Sequence, residues 1–223
     1  MRRKLPKSIA FEDLGARVDT PGVRHDQLPV LSLQERSSDL TRPDDEVPQA
    51  IKLLNDDVHL SPAATRVAVL GSSNPGHKRL FEQAEAAAKT LGLVTIPISA
   101  PSPDDLGQAF EKMVLEKCDA LFVLADPIKP EIVLLAAGKK MPAVYQFSAY
   151  VDLGGLASYG ASLALMGRQT AQYTAKIFQG AKPAELPVEQ PVAFELVLNL
   201  KTAAALGLSI PATVIARADK VIE

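Results

Sequence analysis

The chain has 223 residues, of which 47% are apolar, and a formal charge of −2. That length allows one large domain or two small ones around a buried core, and the near-neutral balance leaves no broad electrostatic footprint for nucleic acid. No run of about 18 or more apolar residues occurs, so no transmembrane segment is expected.

Residues 1 to about 47 are rich in Pro, Asp, Arg and Ser and carry no sustained period. The stretch RSSDLTRPDDEVPQ has the composition of a solvated linker, so 1–47 are expected to form a disordered or irregular tail. MRRKLPK is basic like the start of a secretory signal. SIAFEDLGARVDTPGVRHD then places charges where an apolar h-region belongs, so no signal peptide is read. Order is expected from near Gln49, where QAIKLLNDDV suits a short amphipathic helix.

From Thr65 the pattern alternates. RVAVLG is a short β-branched run that predicts a buried strand. SSNPGHK is its exit loop, and RLFEQAEAAAKTLGL is a helix closed by Gly92. VTIPISA, DALFVLAD and PAVYQF predict three more strands. Between them lie a helix opened by Ser102 as N-cap and a helix within PIKPEIVLLAAGKKM. GGLASYG predicts a short strand or loop, ASLALMGRQTAQYTAKIFQG a helix ending at Gly180, and AKPAELPVEQP an extended segment. AFELVLN predicts a strand, LKTAAALGL a helix closed by Gly207, and the tail a short turn or helix. Such alternation implies an α/β fold with a parallel sheet and helices on both faces.

In open parallel sheets ligands collect beyond the carboxyl ends of the strands. The candidates there are Ser72, Ser73 and Asn74 after the first strand and Asp126 after the third. Tyr145, Phe147 and Ser148 follow the fourth, and Ser158, Tyr159 and Gly160 come next. These hydroxyl, amide and aromatic groups suit a small polar molecule. Each also has an ordinary reading as a turn residue or helix cap, since SSNPG is good turn chemistry by itself.

Catalytic patterns are poor. GSSNPGHK lacks the Gly-Lys-Ser/Thr ending of a P-loop, no G-x-G-x-x-G follows the first strand, and GLASYG is not G-x-S-x-G. The three histidines, His25, His59 and His77, lack metal-ligand spacing. The single cysteine, Cys118, excludes an intramolecular disulfide and reads as a core thiol. No enzymatic activity, metal or cofactor is expected.

GGLASYG, GAKPAELPVEQP and FELVLNLKTAAALGLSIP followed by ARADKVIE resemble the C-terminal signature of a bacterial ABC transporter substrate-binding family. ATRVAVLGSSNPGHK resembles that family's strand-loop-helix opening the second lobe, and the resemblance runs from about Lys52 to Glu223. It implies a type I periplasmic-binding fold, of which 48–223 would be the second lobe with hinge-crossing segments. Most of a first lobe would be lacking, so the chain would be a truncated binder with weakened affinity. It further implies a small-molecule ligand of amino-acid type, an aromatic amino acid among the candidates, an ABC permease as partner, and a periplasmic location. Carried over, Ser158 to Gly160 would lie near hinge and cleft, and Leu186 to Pro191 would cross the hinge. Where relatives often carry a Ser-Arg-Glu-like triplet after VYQ, this chain has Phe147, Ser148 and Ala149. A small cytosolic α/β enzyme or ligand-sensing domain stays open as the alternative.

Overall fold

The computed structural model describes residues 46–55, 60, 64–187, 189, 191 and 193–223. The expected tail therefore lies outside the described residues except for Glu46 and Val47, which already belong to the first helix.

Seven strands form one sheet: β1 (Arg66–Gly71), β2 (Val94–Ser99), β3 (Ala120–Val123), β4 (Ala143–Tyr145), β5 (Ala157–Ala161), β6 (Phe194–Asn199) and β7 (Lys220–Ile222). Their order is β2-β1-β3-β4-β5-β6-β7. The pairs from β2 to β5 are parallel, as is β6 with β7, while β6 runs antiparallel to β5. That one reversal departs from the expected all-parallel pairing. After β5 the chain leaves along a helix and re-enters the sheet at the end it left, since Ala161, the last residue of β5, pairs with Phe194, the first of β6.

The helices are α1 (Glu46–Asn55), α2 (His77–Thr90), α3 (Leu106–Leu115), α4 (Glu131–Gly138), α5 (Ala149–Asp152), α6 (Leu163–Phe178), α7 (Leu200–Ala205) and α8 (Ala212–Ile215). Side chains alternate across a strand, so each strand feeds both faces. Val67 and Val69 of β1, Phe122 of β3 and Tyr159 of β5 pack with α1, α2 and α7. Ala68 and Leu70, Leu121 and Val123, and Tyr145 of β4 pack with α3, α4 and α5 on the other face. Helices thus cover both faces, as the alternation of elements requires.

Local signals act where expected. Gly92, Gly180 and Gly207 follow their helices at φ of 70°, 102° and 73°, the left-handed region that ends a helix at little cost to glycine. Ser102 and Asp105 form a reciprocal capping box through a three-residue 3₁₀ turn, Pro103–Asp105, that leads into α3. The segment after Pro211 is resolved into α8 and the edge strand β7, where only a turn or helix was expected. Helix α6 stands apart, because none of its residues is buried. Its tertiary hydrogen bonds run to the returning segment, from Gln169 to Glu189 and from the Tyr173 hydroxyl to the Pro187 carbonyl.

Candidate functional site

The carboxyl ends of β1, β3, β4 and β5 lie along one edge of the sheet, and buried polar side chains tie them together. His77, the first residue of α2, is 2% exposed. The Ser72 N–H donates to its Nδ1 at 2.9 Å, so that nitrogen carries no proton. Nε2–H therefore donates to the Ala125 carbonyl at 2.9 Å. One imidazole thus clamps the exit of β1 to the exit of β3. Gly71 must be glycine for this, since a Cβ there would lie 2.8 Å from His77 Nδ1.

Gln146, just past β4, is 3% exposed and forms the second clamp. Its Oε1 accepts from the Ala125 N–H at 2.5 Å, and its Nε2 donates to Glu46 Oε1 at 3.0 Å. Glu46 also accepts from the backbone N–H of Ala161 at the end of β5, and burial pushes its carboxyl above the ordinary range. A continuous relay of bonds therefore runs from Ser72 through His77, Ala125 and Gln146 to Glu46 and Ala161. Gly160 sits directly against it, because a Cβ there would come 1.9 Å from the Gln146 carbonyl oxygen.

The expected ligand residues divide into two groups on this frame. Ser72 is half-buried, and Ser73 and Asn74 are exposed. The Asn74 N–H donates to Ser72 Oγ at 3.2 Å, and Asn74 Oδ1 accepts from the Gly76 N–H at 2.9 Å, so the loop uses these groups to shape its own turn. They line an open depression of about 600 Å³ floored by Phe81 and Pro97. Asp126 ion-pairs with Lys129 at 2.8 Å. Ser148 donates to Glu195 Oε1 at 2.7 Å, joining the start of α5 to β6.

The second group is withdrawn from the surface. Tyr145, Ser158 and Tyr159 are 1%, 1% and 3% exposed. Tyr145 stacks on Tyr150 at 4.7 Å, and burial pushes its phenol up. Tyr159 stacks on Phe194 at 6.0 Å, on the opposite face of the sheet. Ser158 neighbours Tyr145 in register, and its Oγ has no hydrogen-bond partner among the described residues. Phe147 is partly buried against the α3 face.

His77, Gln146, Glu46, Lys129 and Glu195 were missed by sequence reasoning. Of these, only His77 carried a local signal, as a histidine opening a helix directly after a strand exit. Cys118 is half-buried against the core, and burial raises its thiol. Among the described residues no group of three or more His, Cys, Asp or Glu could hold a metal ion. No described helix is long and apolar enough to cross a membrane.

The family model for ABC transporter substrate binding protein matches residues 42–222. The chain belongs to the ABC transporter substrate-binding protein family. A search of curated proteins gave no match. Among solved structures, the ABC domain in complex with L-Trp from Streptococcus pneumonia is 29% identical at a TM-score of 0.72, over 79% of this chain and 60% of that one. A conserved domain protein from Vibrio cholerae is 28% identical at a TM-score of 0.69, over 78% and 60%. A substrate binding protein with adhesive properties from Clostridium difficile, solved ligand-free and open, shares the fold at 21% identity and a TM-score of 0.58, over 79% and 60%. The substrate-binding protein described here thus spans about 60% of the length of these structures. Its seven-stranded, mostly parallel sheet flanked by helices has the architecture of the periplasmic-binding fold of these neighbours.

Proposed function

We propose that this chain is the solute-binding component of an ABC importer, working with a permease outside the cytoplasmic membrane. It takes a ligand of amino-acid type at the carboxyl edge of β1, β3 and β4. The reading is carried by a polar strand-exit edge, held rigid by His77 and Gln146, in a chain of substrate-binding ancestry. The L-Trp complex of the Streptococcus relative supports an aromatic amino acid. Ser72 to Asn74, Asp126 and Ser148 supply the reachable polar groups, with Gly160 packed beneath them, while Tyr145, Ser158 and Tyr159 stiffen the floor. No turnover is proposed for a chain of substrate-binding ancestry.

Binding to this lobe is weak. A ligand laid on one wall keeps its other face in water. Each hydrogen bond then contributes only about 0.5–1.5 kcal/mol, against several kcal/mol of lost translational and rotational freedom. The dissociation constant is expected nearer millimolar than micromolar. Calorimetry on the full chain with L-tryptophan, L-phenylalanine, L-tyrosine and L-alanine tests both parts. Saturable binding of the aromatic three is expected. If none of the four binds, the ligand class is wrong; a sub-micromolar constant means that a second wall is present in solution.

A further inference from the structure

Helix α6 turns its apolar side to solvent. Leu163, Met166, Ile177 and Phe178 are 44%, 38%, 41% and 86% exposed, and no residue of the helix is buried. At about 3.6 residues per turn, Leu163, Gly167, Thr170, Thr174 and Ile177 fall along one line of the helix, alternately four and three positions apart. Met166 flanks that line on one side and Phe178 on the other. The polar groups lie elsewhere. Gln169 and Tyr173 face the returning segment, and Lys176 Nζ sits 5.1 Å from the centre of the Tyr173 ring. Arg168 and Gln172 lie round the back, and the helix has no acidic residue. The two threonines on the line satisfy themselves. Thr170 Oγ1 donates to the Met166 carbonyl and Thr174 Oγ1 to the Thr170 carbonyl, each at 2.9 Å. The line can therefore be covered without stranding either hydroxyl.

We propose that this face pairs with the same face of a second copy of the chain, the two α6 helices running antiparallel about a two-fold axis near Thr170. The order of side-chain sizes picks this occupant. Bulky Leu163 stands at one end of the line, bulky Ile177 and Phe178 at the other, and short Gly167, Thr170 and Thr174 lie between. Turning the helix end for end about Thr170 brings Leu163 of one copy to Ile177 and Phe178 of the other, and short side chains to short side chains. The backbones can then approach closely in the middle while the ends interlock, so the surface is self-complementary, as an isologous contact demands. Arg168 and Lys176 stay off the contact, so no like charges meet across it. Area sets the strength. The exposed face presents on the order of 500 Å² per copy, the size at which an apolar patch marks an interaction site. A stable interface takes roughly 800 Å² per partner. The pairing is therefore reversible, with copies separating on dilution.

The test is analytical ultracentrifugation of the full chain, from about 1 μM to about 1 mM, the range over which a weak pair assembles. The mass is expected to rise from monomer to dimer across it. Thr170→Glu places two carboxylates together at the axis and should hold the chain monomeric, whereas Gln172→Glu, on the far side of the helix, should leave the dimer intact. Both positions are exposed, so circular dichroism should show both variants folded. Air oxidation in a Cys118→Ala background reads the direction. Thr170→Cys should cross-link to itself. Leu163→Cys should cross-link only when mixed with Ile177→Cys. A chain that stays monomeric at about 1 mM overturns the proposal, whatever else covers α6. So does a dimer that Thr170→Glu leaves unchanged, since the contact then lies elsewhere. Self-cross-linking of Leu163→Cys as readily as Thr170→Cys would mean parallel helices and overturn it too.

Discussion

The side-chain amide of Gln146 donates to the carboxylate of Glu46 at 3.0 Å, across one hundred positions of sequence. The same Gln146 accepts from Ala125, so one buried side chain joins α1 to the exits of β3 and β4. Removing it by Gln146→Ala leaves the Ala125 N–H without its acceptor and takes from the partly buried Glu46 carboxylate one of its two donors. A loss of about 2–4 kcal/mol is expected in urea unfolding. The pH dependence has a defined sign. Burial raises the folded-state pKa of Glu46 above its ordinary value of 4.5, so the folded protein holds the proton more tightly than the unfolded chain. The stability from this group is present below 4.5 and is lost as pH rises through the higher folded value. Glu46→Gln cannot ionise, so its unfolding free energy should lack that fall. Parallel pH profiles for the two proteins would refute the assignment.

His77 should behave as a clamp. His77→Ala leaves the Ser72 N–H and the Ala125 carbonyl without partners and removes the edge-on contact with Phe81, whose ring lies 6.4 Å away. A destabilisation of about 2–3 kcal/mol is expected. Amide exchange at Ser72 should accelerate by more than the global change explains, because the β1 exit loses its local restraint. Unchanged protection of that amide would show that the loop holds its shape without the imidazole.

Two glycines should respond in opposite ways. A Cβ on Gly160 would lie 1.9 Å from the backbone oxygen of Gln146, which cannot step aside, so Gly160→Ala should cost about 4 kcal/mol or more or prevent folding. Gly167 lies within the exposed helix α6 with nothing within 4 Å of its Cβ position. Gly167→Ala should stabilise the helix by up to about 1 kcal/mol, the propensity difference between the two residues. Circular dichroism and thermal melting of both variants would check the contrast.

Ser158 has a buried hydroxyl without a hydrogen-bond partner among the described residues. Burying such a group costs free energy that no bond returns. Ser158→Ala removes the oxygen, keeps the Cβ and should raise stability by about 1 kcal/mol in chemical denaturation. A loss of similar size would mean that the hydroxyl is bonded in solution.

The strand runs and helix periods were legible because they are local. RVAVLG and DALFVLAD are apolar over both faces of the sheet, and the glycine-ended helices close at the residues that permit it. The signature segments from GGLASYG onward pointed to the family that the match over 42–222 shows. The candidate site was legible only as an edge. Ser72, Ser73, Asn74 and Asp126 stand on or beside strand exits, as the rule for parallel sheets requires.

By itself the sequence determined which stretches pair as strands, which coil as helices and to which family the chain belongs, because those signals sit within a few residues of one another. Tertiary structure alone decided the rest. Successive residues of a strand face opposite ways, so Ser158 and Tyr159, neighbours in the chain, enter different faces of the sheet. The reversal of β6 brings Glu195 to Ser148, and the strand order brings Glu46 to Gln146 and His77 to Ala125. Those partners are 47, 100 and 48 positions apart. No local pattern encodes such pairs, because each polar group finds its partner only once the sheet has set the distance between them.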